Sequence, residues 1–283
     1  MILTPTAIDI ASSHVMAIIN LTPDSFYASS RHLSYDEVRR SVERAIDEGA
    51  TIVDLGGYSS RPGAEEVTVE EEWQRVEMGL QAVSAIDRGV VVSIDTFRSE
   101  IVTRAYERYG AFIVNDISAG EADDAMIGVV AKLGLPYVAM HMRGTPTTMQ
   151  LLTEYDGGVI HGVVDYFRER VKVLEKAGVA RKLIILDPGF GFAKTVEQNH
   201  QLLSELEELR ALGYPLLIGL SRKSMIYKPL GITPQESLPG SLALAWESLR
   251  GGDAIVRVHD VAATHQVVQL AKYYKQVVYD KGR

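Results

Sequence analysis

The sequence predicts a closed barrel of eight parallel strands alternating with helices, a (β/α)8 fold forming one domain over residues 1–283. Three observations carry that expectation. Eight short runs of β-branched and aliphatic residues each close on a polar residue, a glycine precedes most of them, and helix-opening signals lie between them.

The runs are Ala17–Asn20, Thr51–Asp54, Val91–Asp95, Phe112–Asn115, Tyr137–His141, Leu183–Asp187, Leu216–Ser221 and Ala254–His259. Gly49, Gly89, Gly110, Gly134, Gly178, Gly213 and Gly252 stand where a left-handed residue ends the preceding helix. Ser34 with Glu37, Thr68 with Glu71, Thr195 with Gln198 and Thr233 with Glu236 have capping-box spacing. Val38, Val42, Ala45 and Ile46 then give the first helix one apolar face. Strands alternating with helices fit either a closed barrel or an open doubly wound sheet. The count of eight, and the lack of a G-x-G-x-x-G turn after the first strand, favour closure. Residues 1–14 are expected to form a short lid under the barrel.

Length agrees, because 283 residues suit a fold that typically takes about 250. No apolar run approaches the roughly 18 residues that span a bilayer, so a membrane protein is not expected. The first basic residue is Arg31 and Asp9 interrupts the start, which is unlike a signal peptide and points to the cytoplasm. Zero cysteines exclude disulfides, thiolate catalysis and cysteine-bound zinc. A net charge of −8 without a basic tract argues against nucleic acid and for a small-molecule substrate. If that substrate is anionic, a few local cations must hold it.

In a barrel the strand ends share one rim, where active sites are built. Asn20, Asp54, Asp95, Asn115, His141, Asp187, Ser221, Arg257 and His259 are placed there. Any one alone could as well cap a helix or bond its own loop; eight strands ending this way argue for a site. Asp95, Asn115 and Asp187 suit a flat heterocycle whose amino-pyrimidinone edge offers adjacent N–H donors. Lys223 could meet that ring's carbonyl or imine nitrogen. Arg257 and His259, two apart, leave on one face and could grip an anion together. Asn20 offers a hard oxygen for Mg²⁺ shared with phosphate oxygens. The loops at Thr22–Phe26, with Asp24, and at Gly56–Gly63 supply mobile groups that could close over substrate; ordinary turn chemistry is the plainer reading of both.

These stretches carry a family resemblance. N-L-T-P-D-S-F at Asn20–Phe26, G-G-Y-S-S-R-P-G at Gly56–Gly63 and D-P-G-F-G-F at Asp187–Phe192 are similar to the signatures of dihydropteroate synthases. So are S-I-D-T at Ser93–Thr96, N-D-I-S at Asn115–Ser118, M-H-M at Met140–Met142, S-R-K-S at Ser221–Ser224 and R-V-H-D at Arg257–Asp260, in the family order. The resemblance implies condensation of 6-hydroxymethyl-7,8-dihydropterin pyrophosphate with p-aminobenzoate, giving 7,8-dihydropteroate and pyrophosphate. It places Asp95, Asn115, Asp187 and Lys223 on the pterin, with Met140, Phe190 and Gly219 lining the slot. It places Ser60, Arg61, Arg257 and His259 on the pyrophosphate, Asn20 on Mg²⁺, and Phe26, Pro62, Phe190 and Ser224 on the p-aminobenzoate. Asp24, Phe26, Arg61, Asp95, Lys223 and Arg257 are the expected catalytic residues.

The chain departs from the family pattern where Tyr58 replaces an acidic residue, Ala28-Ser29-Ser30 an Asp-Gly-Gly run, and Ser60 the usual Thr. Two rivals share the pterin trio: a barrel transferring methyl from methyltetrahydrofolate to a corrinoid protein, and a catalytically silent pterin-binding subunit. The first has no use for a pyrophosphate grip. The resemblance also implies a homodimer through the last helices, where Val267, Val268, Ala271 and Tyr274 offer either an interface or core packing.

Overall fold

A computed structural model describes residues 2–22, 34–59, 66–86 and 88–279. Its strands are β1 (Ile2–Leu3), β2 (His14–Asn20), β3 (Ile52–Gly56), β4 (Val90–Asp95), β5 (Ile113–Asp116), β6 (Tyr137–Met140), β7 (Ile184–Asp187), β8 (Leu217–Ile218) and β9 (Ile255–Val258). All pair in parallel, in the order β7-β6-β5-β4-β3-β2-β9-β8. The ring closes between β7 and β8 through a bridge at Leu186 and Leu216. The barrel is therefore (β/α)8, as the eight apolar runs predict.

Around it lie α1 (Tyr35–Asp47), α2 (Val69–Ser84), α3 (Ser99–Tyr109), α4 (Met126–Leu133), α5 (Val159–Lys176), α6 (Val196–Ser204), α7 (Leu206–Arg210), α8 (Ser224–Leu230), α9 (Leu238–Arg250) and α10 (Val261–Tyr279). None of the described helices is long and apolar enough to cross a membrane. Three expected capping boxes form in full, at Ser34, Thr68 and Thr195. Each satisfies two backbone donors that a helix start leaves unpaired. Thr68→Ala should lower stability by about 1 kcal/mol, read as a shift in the urea midpoint. Thr233 differs. Its N–H and hydroxyl both donate to Glu236, but they open only the 3-10 turn Pro234–Glu236, because α9 starts afresh at Leu238.

Of the seven expected helix-ending glycines, Gly89 and Gly252 are not left-handed. Close approach explains them instead. A Cβ on Gly89 would lie 2.8 Å from the Leu3 side chain, and one on Gly252 would lie 2.5 Å from Arg210 Nη1.

Inside the barrel every strand from β2 to β9 contributes one fully buried apolar residue: Met16, Ile52, Val91, Ile113, Val138, Ile185, Leu217 and Ile255. Leu3, Ile8 and Ile10 pack against this layer, and β1 pairs with β4, so the N-terminal segment closes the bottom of the barrel. The larger core lies outside the strands, between sheet and helices.

Candidate active site

Side chains alternate along a strand, so the apolar layer sets the phase for everything above it. Two residues beyond it on successive strands come Ile18, Asp54, Ser93, Asn115, Met140, Asp187, Gly219 and Arg257. Two further on come Asn20, Gly56 and Asp95. The lower barrel is dry and the upper barrel polar. This alternation brings the expected pterin residues Asp95, Asn115, Met140, Asp187 and Gly219 into one pocket.

Arg257 crosses that pocket. Its Nε donates to Asp54 Oδ2 at 2.6 Å and its Nη2 to Asp95 Oδ2 at 2.7 Å. Asp54 is fully buried, and the Arg257 side chain is 22% exposed. Burial alone would lower the Arg257 pKa, but the charges of Asp54 and Asp95 outweigh it and hold the guanidinium charged. Burial pushes Asp95 up to about 7, against the pull of Arg257 and with repulsion from Asp54, Glu72 and Asp116. Asp187 is also raised, chiefly by burial, with Lys223 opposing.

Lys223 reaches in from the N-terminal end of α8. Its stem passes Gly191 and its ammonium passes Gly219, where Cβ atoms would stand 3.5 Å and 3.7 Å away. Its Nζ donates to the Phe190 carbonyl, lies 5.0 Å from the Phe192 ring, and is pulled down to about 8 by burial. Phe190 itself is fully buried in the outer core, so the partly exposed ring beside Lys223 is Phe192.

The D-P-G-F-G-F turn is held from beneath. Lys194, 3% exposed, donates to the carbonyls of Gly189 and Phe192 and bonds His141 Nδ1 at 2.9 Å. Burial drives the Lys194 pKa well below that of an ordinary lysine, and burial likewise keeps His141 neutral. His141 does not reach the rim. One residue out of phase with Met140, it packs against Tyr166 and Phe167 of α5.

A cavity of about 1030 Å³ lies beside the pocket, meeting it at Lys223; Asp95, Asn115, Asp187 and Arg257 are not among its lining residues. Asn20, Phe190, Lys223, Ser224 and His259 line it, with Arg44 of α1, Glu48 just past its end and the first residues of α10. His259 pairs with Ser221, at 3.1 Å from its hydroxyl, while Arg257 turns to the carboxylates. The expected joint grip on an anion is thus divided between two sets of partners. Arg222 holds a left-handed φ of 58°, and its guanidinium forms a two-point pair with Asp260, 2.9 Å from Nε and 2.5 Å from Nη2. Asp24, Phe26, Ser60, Arg61 and Pro62 lie outside the described residues, as do Ala28-Ser29-Ser30. The motifs contain Ser93, Phe192, Arg222 and Asp260 but give them no role, and Lys194 falls outside every motif. The period-two phase would have found Ser93; no spacing rule reaches the others.

The family model for pterin binding enzymes matches residues 16–259. Dihydropteroate synthase of Escherichia coli strain K12 is 42% identical over 267 residues, covering 94% of this chain and 93% of its own. The Bacillus subtilis enzyme of that name is 38% identical over 258 residues, covering 91% and 86%. Among solved structures, the Yersinia pestis dihydropteroate synthase in a sulfonamide drug complex superposes with a TM-score of 0.88 at 37% identity, over 95% of this chain and 96% of that one. The Xanthomonas albilineans enzyme in complex with 7,8-dihydropteroate gives 0.82 at 34%, over 95% of each chain. Because the family match runs from Met16 in the dry layer to His259 beyond the last strand, it takes in the whole pocket, and with these relatives the chain belongs to the dihydropteroate synthase family of pterin-binding enzymes.

Proposed function

We propose that this barrel condenses 6-hydroxymethyl-7,8-dihydropterin pyrophosphate with p-aminobenzoate. The carrying observation is the acceptor-rich ring of Asp95, Asn115 and Asp187 directly above a dry layer, with Lys223 as the facing cation. Carboxylates accept in pairs from the amino and ring N–H groups of the pterin, and Lys223 donates to its carbonyl or imine nitrogen. The bond from the pterin methylene to pyrophosphate oxygen breaks, with its electron pair leaving on pyrophosphate. The arylamine nitrogen then bonds the methylene and gives up a proton to solvent. The amine is neutral near pH 7 and already nucleophilic, so no Ser/His/Asp triad is required. Asp95 and Asp187 stabilise the cation developing on the pterin methylene in this SN1-like path. His259, with Ser60 and Arg61 by family position, and Arg257 through the Nη1 that neither carboxylate takes, stabilise the departing charge.

Asn20 supplies a neutral hard oxygen at the cavity wall, and among the described residues no three acidic or histidine side chains converge as a metal site. Mg²⁺ would be held there by the Asn20 side-chain oxygen together with substrate oxygens and water. When bound, the metal would neutralise charge on the leaving group. Ser224 and the Phe192 ring at the cavity wall, with Phe26 and Pro62 by family position, would meet the p-aminobenzoate; Phe190, whose ring is buried in the outer core, could offer it only backbone. A homodimer is also proposed. Val268 and Ala271 face the core, so its surface would be the exposed Leu270, Tyr273, Tyr274, Val277 and Val278 of α10, which sedimentation would test.

Mixing both substrates should release pyrophosphate in a Mg²⁺-dependent manner. Absence of release with pterin still bound would favour the silent subunit. The rate should follow a bell-shaped pH profile. Falling pH protonates Asp95 through about 7, and rising pH neutralises Lys223 through about 8, so either change removes a working form. Lys223→Arg, which stays charged, should abolish the alkaline limb; its persistence would reassign that limb.

A further inference from the structure

Asp54 is fully buried beneath the pocket, and the condensation gives it no task. One of its oxygens nevertheless organises two residues that have one. Oδ2 accepts from Arg257 Nε at 2.6 Å and from Asn115 Nδ2 at 3.1 Å. Oδ1 has no partner among the described residues, nor has the hydroxyl of Ser93, its register neighbour on β4. A carboxylate only accepts, so Asn115 must turn its NH₂ toward Asp54. The amide then keeps its carbonyl oxygen and second N–H for a ligand, side by side and in fixed order. A 2-aminopyrimidine offers the complement, an amino N–H beside a ring-nitrogen acceptor. With Nε on Asp54 and Nη2 on Asp95, the planar guanidinium of Arg257 is likewise fixed at two points.

We propose that Asp54 is a positioning residue for pterin recognition: it sets the amide order of Asn115 and the plane of Arg257, and by sharing the Arg257 charge it leaves Asp95 free to accept from the ligand. The inference rests on the pterin reading above and adds a determinant to it. Arg257 from β9, Asp54 from β3, Glu72 from α2 and Asp116 from β5 are the charges acting on Asp95. Asp54 is among those that raise it, so neutralising Asp54 leaves Arg257 to pull Asp95 down.

The test is Asp54→Asn, titrated calorimetrically with 6-hydroxymethylpterin, an unreactive probe, on both sides of neutrality. Pterin affinity should fall by about 10²-fold, as for other losses of positioning. The KM for p-aminobenzoate should hold, and the acid midpoint of pterin binding should move to lower pH. Native affinity with an unmoved midpoint would overturn the proposal. A general loosening of the fold would weaken binding without displacing that midpoint, and would also overturn it. If Asp54→Asn does not fold, Asn115→Asp sets two carboxylates in contact, and its pterin affinity, as a fraction of the native protein's at the same pH, should recover as pH falls; no relative recovery counts against the proposal. If the native protein does not bind the probe, the pterin reading itself fails, and this inference with it.

Discussion

Arg257→Ala should reduce kcat by about 10²-fold or more, the scale seen when a preorganised electrostatic donor is lost. It should also destabilise the fold by about 3–5 kcal/mol, as when one partner of a buried ion pair is removed. Both effects come from one guanidinium bridging Asp54 and Asp95. Without it two carboxylates share a pocket floor with no counterion, and Asp95 protonates instead of accepting from ligand. The stability deficit should therefore shrink as pH falls, since protonation removes the repulsion that the arginine offset. Arg257→Lys should recover little, because one ammonium cannot hold both carboxylates in the fork geometry. Steady-state kinetics with calorimetric melting at two pH values measures all three effects. Near-full turnover in Arg257→Ala would exclude it from stabilising the departing charge.

The sequence makes the strands legible because each must bury β-branched residues on both faces. It makes Asp95, Asn115, Asp187 and Lys223 legible because their motifs sit at strand ends. What stays hidden is phase and partnership. His141 closes its apolar run just as Asp187 does, yet one step of register sends it outward to α5 while Asp187 points in. Arg257 and Asp54 meet across 203 positions of sequence, and only closure of the ring brings them together. Arg257 and His259 have the spacing of a joint anion grip, but the neighbouring carboxylates claim the arginine. Gly89 and Gly252 resemble helix-ending glycines by position, although neither is left-handed and what crowds them is the side chains of Leu3 and Arg210.

The turn after β7 shows how tightly the site depends on backbone. Gly189 has φ +69°, and a Cβ there would stand 2.0 Å from the His141 carbonyl oxygen. The obstacle is backbone, so no rotamer change relieves it. Gly189→Ala must therefore displace either the turn or the end of β6. The left-handed conformation alone costs about 1–3 kcal/mol for a non-glycine residue, and the clash adds to it. The same turn fixes chemistry. The Gly189 N–H donates to Asp187 Oδ1 at 2.8 Å, its carbonyl accepts from buried Lys194, and the next carbonyl, of Phe190, accepts from Lys223. Moving it displaces a pterin acceptor and the facing cation together, and misplacement on that scale costs about 10²-fold in turnover. Gly191→Ala is the control. Gly191 is also left-handed, at φ +83°, but its Cβ would meet only the Lys223 stem at 3.5 Å, so it should show the strain without the clash. Urea unfolding and kcat on the two variants separate these contributions. Equal losses would mean that backbone strain, not contact with His141, makes glycine necessary at 189.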